Sequence, residues 1–146
     1  SAASDVYKRQ VLVHDAARCF APAELFSTVT ERVRTIMSQN VAAGVVPALP
    51  VVDTIKMVDS SGNVLGTPDR TRLRRVQTPQ GFDAKLLWTL HQEARKEGLS
   101  TTDDAALLEK FQFGVATVPG DEKALKITTP TDLRLAQFIM EEDAEG

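Results

Sequence analysis

Cysteine is nearly absent. Cys19 stands alone among 146 residues, which excludes an intramolecular disulfide framework and a cysteine-built zinc site and fits a reducing compartment, the cytoplasm. Long apolar runs are missing as well. None approaches the roughly 20 residues of a membrane-spanning helix, and the N-terminus lacks the basic-then-apolar order of a secretory signal, so no membrane association is expected. Basic excess is also lacking. The 17 Lys and Arg against 20 Asp and Glu leave a formal charge of −3, without the basic face that would release counterions from a nucleic-acid backbone. A small phosphorylated ligand needs only a local cluster of cations and stays open.

What is present is the composition of one soluble domain, 42% apolar and 25% charged, enough to bury a single core. Residues 1–10 show no period and no initiator Met and read as a leader foreign to the fold. Residues 11–140 read as the domain, with an arm over about 51–75, and residues 141–146 as a frayed acidic tail.

Val11-Leu12-Val13 reads as a short buried strand that delivers His14-Asp15-Ala16-Ala17-Arg18 at its C-terminal end, where open α/β sheets place ligands. From Pro22 to about Ser38, Leu25, Val29, Val33, Ile36 and Met37 recur at helical spacing, which predicts an amphipathic helix on the sheet. Val41–Leu49 reads as a second core strand. Asp53–Val58, a Ser60-Ser61-Gly62-Asn63 turn and Val64-Leu65-Gly66 predict a hairpin with little apolar surface to bury on itself, so it should project and pack on something else. A helix is expected from Asp83 to Lys96 with Leu86, Leu87, Leu90 and Ala94 on one face, closed by Gly98, and a shorter one over Ala105–Phe111 capped from Thr101–Asp104. Phe113–Val118 and Leu125–Ile127 read as strands. Thr129-Pro130-Thr131-Asp132 opens the last helix with a cap, a proline and a first-turn carboxylate.

Read by itself, the Asp15 segment fits two roles. A carboxylate at a strand end can hold Mg²⁺ while small alanines let a nucleotide approach the backbone; equally, Asp15 can cap the next turn and pair with Arg18. His14 reads as a hydrogen-bonded structural group, His91 as surface, Trp88 as core or helix packing, and Asp103 and Asp104 as caps. Arg72, Arg74 and Arg75 fit an anion patch or a solvated strand edge.

Six segments, at 11–18, 50–56, 69–70, 77–82, 102–105 and 125–133, taken in that order, resemble the 2-C-methyl-D-erythritol 4-phosphate cytidylyltransferase family. The resemblance covers everything from residue 11 onward. It implies an α/β fold, part of a doubly wound, Rossmann-like nucleotidyltransferase sheet with a projecting β-hairpin arm, and a homodimer whose arm reaches across to the partner. It further implies cytidylyl transfer from CTP to 2-C-methyl-D-erythritol 4-phosphate, a step of non-mevalonate isoprenoid synthesis, with Mg²⁺ as cofactor. By the same resemblance Asp15 contacts the metal and the nucleotide, and Ala16 lines the nucleotide site. Thr54, Arg70, Thr78 and Lys126 surround the sugar phosphate, with Arg70 and Lys126 positioning it for attack and Thr54 and Arg70 serving the neighbour's site.

Three departures stand against the family pattern. No counterpart of the family's opening strand and glycine-rich basic loop precedes Val11, so the chain is expected to be a C-terminal portion and inactive alone. Cys19 stands where proline is usual, and Lys123 where an acidic residue is often seen. The rival readings are ribitol-5-phosphate cytidylyltransferase, on the same scaffold, and a non-catalytic dimerising fragment.

Overall fold

The computed structural model describes residues 9–146. The leader expected over 1–10 lies largely outside the described residues, and Gln10 already belongs to the first strand, β1 (Gln10–Val13). A five-stranded sheet is built from β1, β2 (Gly44–Pro50), β5 (Arg74–Val76), β6 (Gln80–Asp83) and β7 (Val115–Pro119). Strands β3 (Met57–Val58) and β4 (Val64–Gly66) pair only with each other. β6 runs antiparallel to both β1 and β2, and β7 runs parallel to β2, so β1, β2 and β7 all end at the same side of the sheet.

Helices cover both faces. On one lies α1 (Ala23–Gln39), whose buried residues Leu25, Val29, Val33, Ile36 and Met37 are the five that the helical spacing picks out. Four of them pack with Val45 and Val118. On the other lie α2 (Ala84–Glu97) and α3 (Asp104–Lys110), which bury Leu87, Leu90, Ala94, Leu107 and Leu108 around Phe82 and Val46. Neighbouring residues of β2 thus serve opposite cores, as a strand covered on both faces must. Gly81 lets α1 come close, because a Cβ there would lie 2.5 Å from a methyl of Val33.

The sheet contains one large irregularity. Val45 pairs with Gly81 and Ala48 with Val76, so three steps along β2 are answered by five along the facing strand, and two residues are extruded between β5 and β6. This bulge lies opposite Val46-Pro47, where Pro47 has no N–H to give to a ladder. It carries Gln77, Thr78 and the cis Thr78–Pro79 peptide.

Several expectations are corrected. β1 is the edge of the described sheet and is not buried: Leu12 and Val13 are more than a third exposed. The second strand starts at Gly44 and leaves Val41 exposed, and only Met57–Val58 of Asp53–Val58 is paired. β5 and β6 were not legible as strands, because Arg74-Arg75-Val76 and Gln80-Gly81-Phe82 carry too few β-branched residues to signal one. Leu125–Ile127 is unpaired and follows a 3₁₀ turn over Glu122–Ala124. Trp88 is 66% exposed, because it sits about a third of a turn off the Leu87, Leu90, Ala94 stripe. Residues 141–145 do not fray but continue α4 (Pro130–Glu145), helped by Lys123, whose ammonium meets Asp143 at 2.8 Å.

The start of α4 is a capping box. Thr129 Oγ1 accepts from the Asp132 N–H, and the Asp132 carboxylate accepts from the N–H groups of Thr128 and Thr129. The Thr128 N–H is the first of the bonds that hold the Asp132 carboxyl below its ordinary 3.8. A depressed folded value means that the carboxylate favours the folded state above pH 3.8 and that this contribution is lost as pH falls through the folded value. Asp132→Ala should therefore melt at a lower temperature than the parent at neutral pH, and the gap should close in acid. A gap that persists unchanged in acid, by calorimetry at both pH values, would refute the capping role.

Candidate functional site

Asp15, at the C-terminal end of β1, uses its two oxygens differently. Oδ1 accepts from the N–H of Ala17 at 2.9 Å, closing a turn, while Oδ2 lies 3.2 Å from the ammonium of Lys126. One oxygen of the group thus caps the turn while the other faces Lys126. The Ala17 bond, followed by Lys126, holds the Asp15 carboxyl below the ordinary carboxylate range, so it is ionised near neutrality. Arg18 does not form an ion pair with it. Its Nη1 donates instead to the carbonyl of Ala124 at 2.7 Å, and burial lowers the guanidinium's pKa.

Thr78 comes from the bulge. Its Oγ1 accepts from the N–H of Asp15 at 2.9 Å and lies 3.0 Å from Nδ1 of His14. His14 is exposed, its ring lying edge-to-face with that of Phe26 at 4.9 Å between ring centres, and its hydrogen bond to Thr78 matches the structural part expected of it. Lys126 comes from the extended run after the 3₁₀ turn, whose next residue, Ile127, donates its N–H to the carbonyl of Ala17 at 2.9 Å. Asp15, Thr78 and Lys126, far apart in sequence, thus meet at one end of the sheet with Ala16 exposed beside them.

The other two expected site residues are elsewhere. Thr54 is exposed near the start of the arm, and Arg70 opens the 3₁₀ turn near its end, where its Nη1 donates to the carbonyl of Val52 at 2.7 Å and braces the arm's base. Among the described residues no hydrogen bond or ion pair joins either to Asp15, Thr78 or Lys126. The arm exposes Val52, Met57, Val58, Val64 and Leu65, and Asp59 ties its tip by accepting from the N–H groups of Ser61 and Asn63.

A cleft of about 380 Å³ adjoins Asp15 and Thr78 and is lined also by Gln80, His91, Thr102 and Asp104. His91 is a surface residue, as expected, with Nε2 at 2.7 Å from Asp104. Asp103 caps α3 by accepting from the Ala106 N–H. Arg74 and Arg75 spend donors on the carbonyls of Thr71, Leu73 and Pro50, which makes them a braced strand edge. Two more residues belong to the site's frame: Arg18, expected to pair with Asp15 and bound instead to Ala124, and Gln77, which had no expected role and is buried beside Thr78.

Among the described residues no three metal-ligating side chains are grouped. Mg²⁺ commonly takes only one or two carboxylates and completes its shell with water and substrate phosphates. Asp15 Oδ2, ionised and on a side chain 32% exposed, fits as one such ligand.

A profile of the IspD family, 2-C-methyl-D-erythritol 4-phosphate cytidylyltransferase, matches residues 2–142. The chain is 51% identical over 130 residues to the enzyme of that name from Microcystis aeruginosa, covering 89% of this chain and 55% of the relative. It is 50% identical over 133 residues to that of Nocardia farcinica, covering 91% and 54%. It thus spans about half the length of these relatives. The crystal structure of the Thermus thermophilus enzyme of the same name superposes with a TM-score of 0.75 at 40% identity, covering 89% of this chain and 61% of that one. A 4-diphosphocytidyl-2C-methyl-D-erythritol synthase from Anaerococcus prevotii gives 0.79 at 33% identity, covering 90% and 58%.

Proposed function

Because this chain belongs to the 2-C-methyl-D-erythritol 4-phosphate cytidylyltransferase family, we propose that it carries the sugar-phosphate side of a site for cytidylyl transfer from CTP to methylerythritol 4-phosphate, in the cytoplasm. The observation that carries this reading is the meeting of Asp15 with both Lys126 and Thr78. An anionic phosphate has to be brought against the α-phosphorus of a nucleoside triphosphate. A fixed ammonium lowers the cost of that approach, and Thr78 keeps the Asp15 backbone in place. The nucleophile is already ionised and needs no general base. Its oxygen forms a bond to the α-phosphorus as the bond to the bridging oxygen breaks and pyrophosphate leaves. Asp15 would hold Mg²⁺, which supplies charge neutralisation at the phosphates when bound. Thr54 and Arg70 act in the site of a second copy, and the exposed apolar side chains of the arm are what that copy covers.

The test is pyrophosphate release with CTP, Mg²⁺ and methylerythritol phosphate, using this chain alone and fused to the part of the Microcystis aeruginosa relative that it does not cover. Turnover is expected from the fusion and not from the chain alone. A fusion that folds but turns over ribitol 5-phosphate in preference would replace the reading with its rival. In the fusion Lys126→Met should weaken methylerythritol phosphate binding by about ten- to a hundredfold, the scale of a charge-assisted hydrogen bond, and leave CTP binding unchanged. An equal loss for both ligands by calorimetry would place Lys126 on the nucleotide instead.

A further inference from the structure

Gln77 is a polar side chain with almost no contact with solvent, 5% exposed, and it does not face the proposed substrate. Its carboxamide is used twice on one peptide segment. Oε1 accepts from the N–H of Asp121 at 3.0 Å, and Nε2 donates to the carbonyl of Asp121 at 2.8 Å. Its own N–H donates to the carbonyl of Pro47 at 2.9 Å. The bond pattern is that of a strand pair made by one side chain, reaching from the bulge over the end of β2 to the loop after β7.

The residue before the clamped one has been kept small. Gly120 donates its N–H to the carbonyl of Ala48 at 2.9 Å, and a Cβ on it would stand 2.4 Å from Oε1 of Gln77. From Asp121 onward the segment is built in short steps. Asp121 accepts from the Lys123 N–H and starts the 3₁₀ turn, Ala124 receives the Arg18 guanidinium, Lys126 faces Asp15, and Ile127 donates to Ala17. In the other direction Gln77 is followed directly by Thr78, which holds the backbone of Asp15.

We propose that Gln77 is a positioning residue: by clamping Asp121 it sets the place of Lys126 relative to Asp15 and Thr78, so that both walls of the sugar-phosphate site are referred to one buried carboxamide. This rests on the proposed function for the identity of the ligand, though not for the clamp itself. The bulge is what makes it possible. It sets Gln77 and Thr78 between β5 and β6, and as consecutive residues of extended backbone they send their side chains to opposite sides, Gln77 toward Asp121 and Thr78 toward Asp15. A buried amide with both ends satisfied fixes geometry more firmly than an apolar contact, because moving away leaves two buried groups without partners.

The experiment uses this chain, with Gln77→Leu, which keeps the volume and removes both bonds, and Gly120→Ala, which displaces the carboxamide without altering it. Amide hydrogen exchange reads the clamp. In both variants exchange should quicken at Asp121 and at Ile127, while the amides of α2 keep their protection. Calorimetric titration with methylerythritol phosphate reads the consequence: Gln77→Leu should bind about ten- to a hundredfold more weakly, and the double variant Gln77→Leu with Lys126→Met no more weakly than Lys126→Met. Unchanged exchange at Ile127, or equal quickening throughout the chain, would overturn the positioning role, as would Gln77 and Lys126 losses that simply add. If the parent chain binds no methylerythritol phosphate, the functional reading fails, and local quickening at Ile127 still decides whether Gln77 places the Lys126 segment.

Discussion

Two inactive proteins should make an active one. In the fusion that restores the length of the relatives, Asp15→Ala and Arg70→Ala are each expected to abolish cytidylyl transfer, and refolding them together should return about a quarter of the parental activity. On the proposed pairing of two copies, half of the randomly assorted dimers are hybrids. In a hybrid the site built on the Arg70→Ala chain keeps its own Asp15 and receives Arg70 from the other subunit, whereas the second site lacks both. The structure motivates the pairing. Asp15 meets Lys126 and Thr78 within one chain, while Arg70 is bonded to none of them and sits at the base of an arm that exposes apolar residues along its length. Subunit exchange is checked by tagging one variant and isolating hybrids. Hybrids that form and stay inactive would mean that Arg70 acts within its own subunit or outside the site.

The largest stability effect is expected at Phe82. Its ring is fully buried and packs in the layer formed by Val46, Leu87, Leu90 and Leu108, and Gly44 is fitted against it so closely that a Cβ would lie 2.8 Å from its Cδ1. Phe82→Ala removes the ring and leaves a cavity that flanking strands cannot close, at a cost of about 3–5 kcal/mol. Domains of this size are stable by about 5–15 kcal/mol, so the variant should melt on the order of 10 °C lower or not fold at all. Urea unfolding of the chain measures it, and a loss below about 1 kcal/mol would show that the ring is not in the core.

The contrast between what the residues announced and what they concealed follows from the range of the forces involved. The buried face of helix α1 was legible because burial on one face imposes a 3.6-residue period, and the cap at Thr129 because its partners lie three residues away. The Asp15 segment was legible as a strand end that gathers polar groups, through its position and its family pattern. β5 and β6 were not, since they are held by a register with β2 and not by their own composition. Gln77 was silent for the same reason. Nothing within 40 residues of it in sequence tells that its carboxamide will close on Asp121, and glutamine in a polar run reads as surface. Trp88 misled in the opposite sense, because an aromatic residue on a helix is ordinarily buried and only the phase of the neighbouring leucines shows otherwise.

The bulge also bears on the order of events as the chain folds. Asp15 and Thr78 are 63 residues apart and Gln77 and Asp121 are 44, so the contacts that bring the site's segments together cannot form inside a local hairpin or helix, and each must wait for a large loop to close. Strand β2 must be flanked on one side by β5 and β6 and on the other by β7 before the carboxamide has anything to grip. Helical signal should consequently rise early in refolding, and the capacity to hold a phosphate should lag behind it.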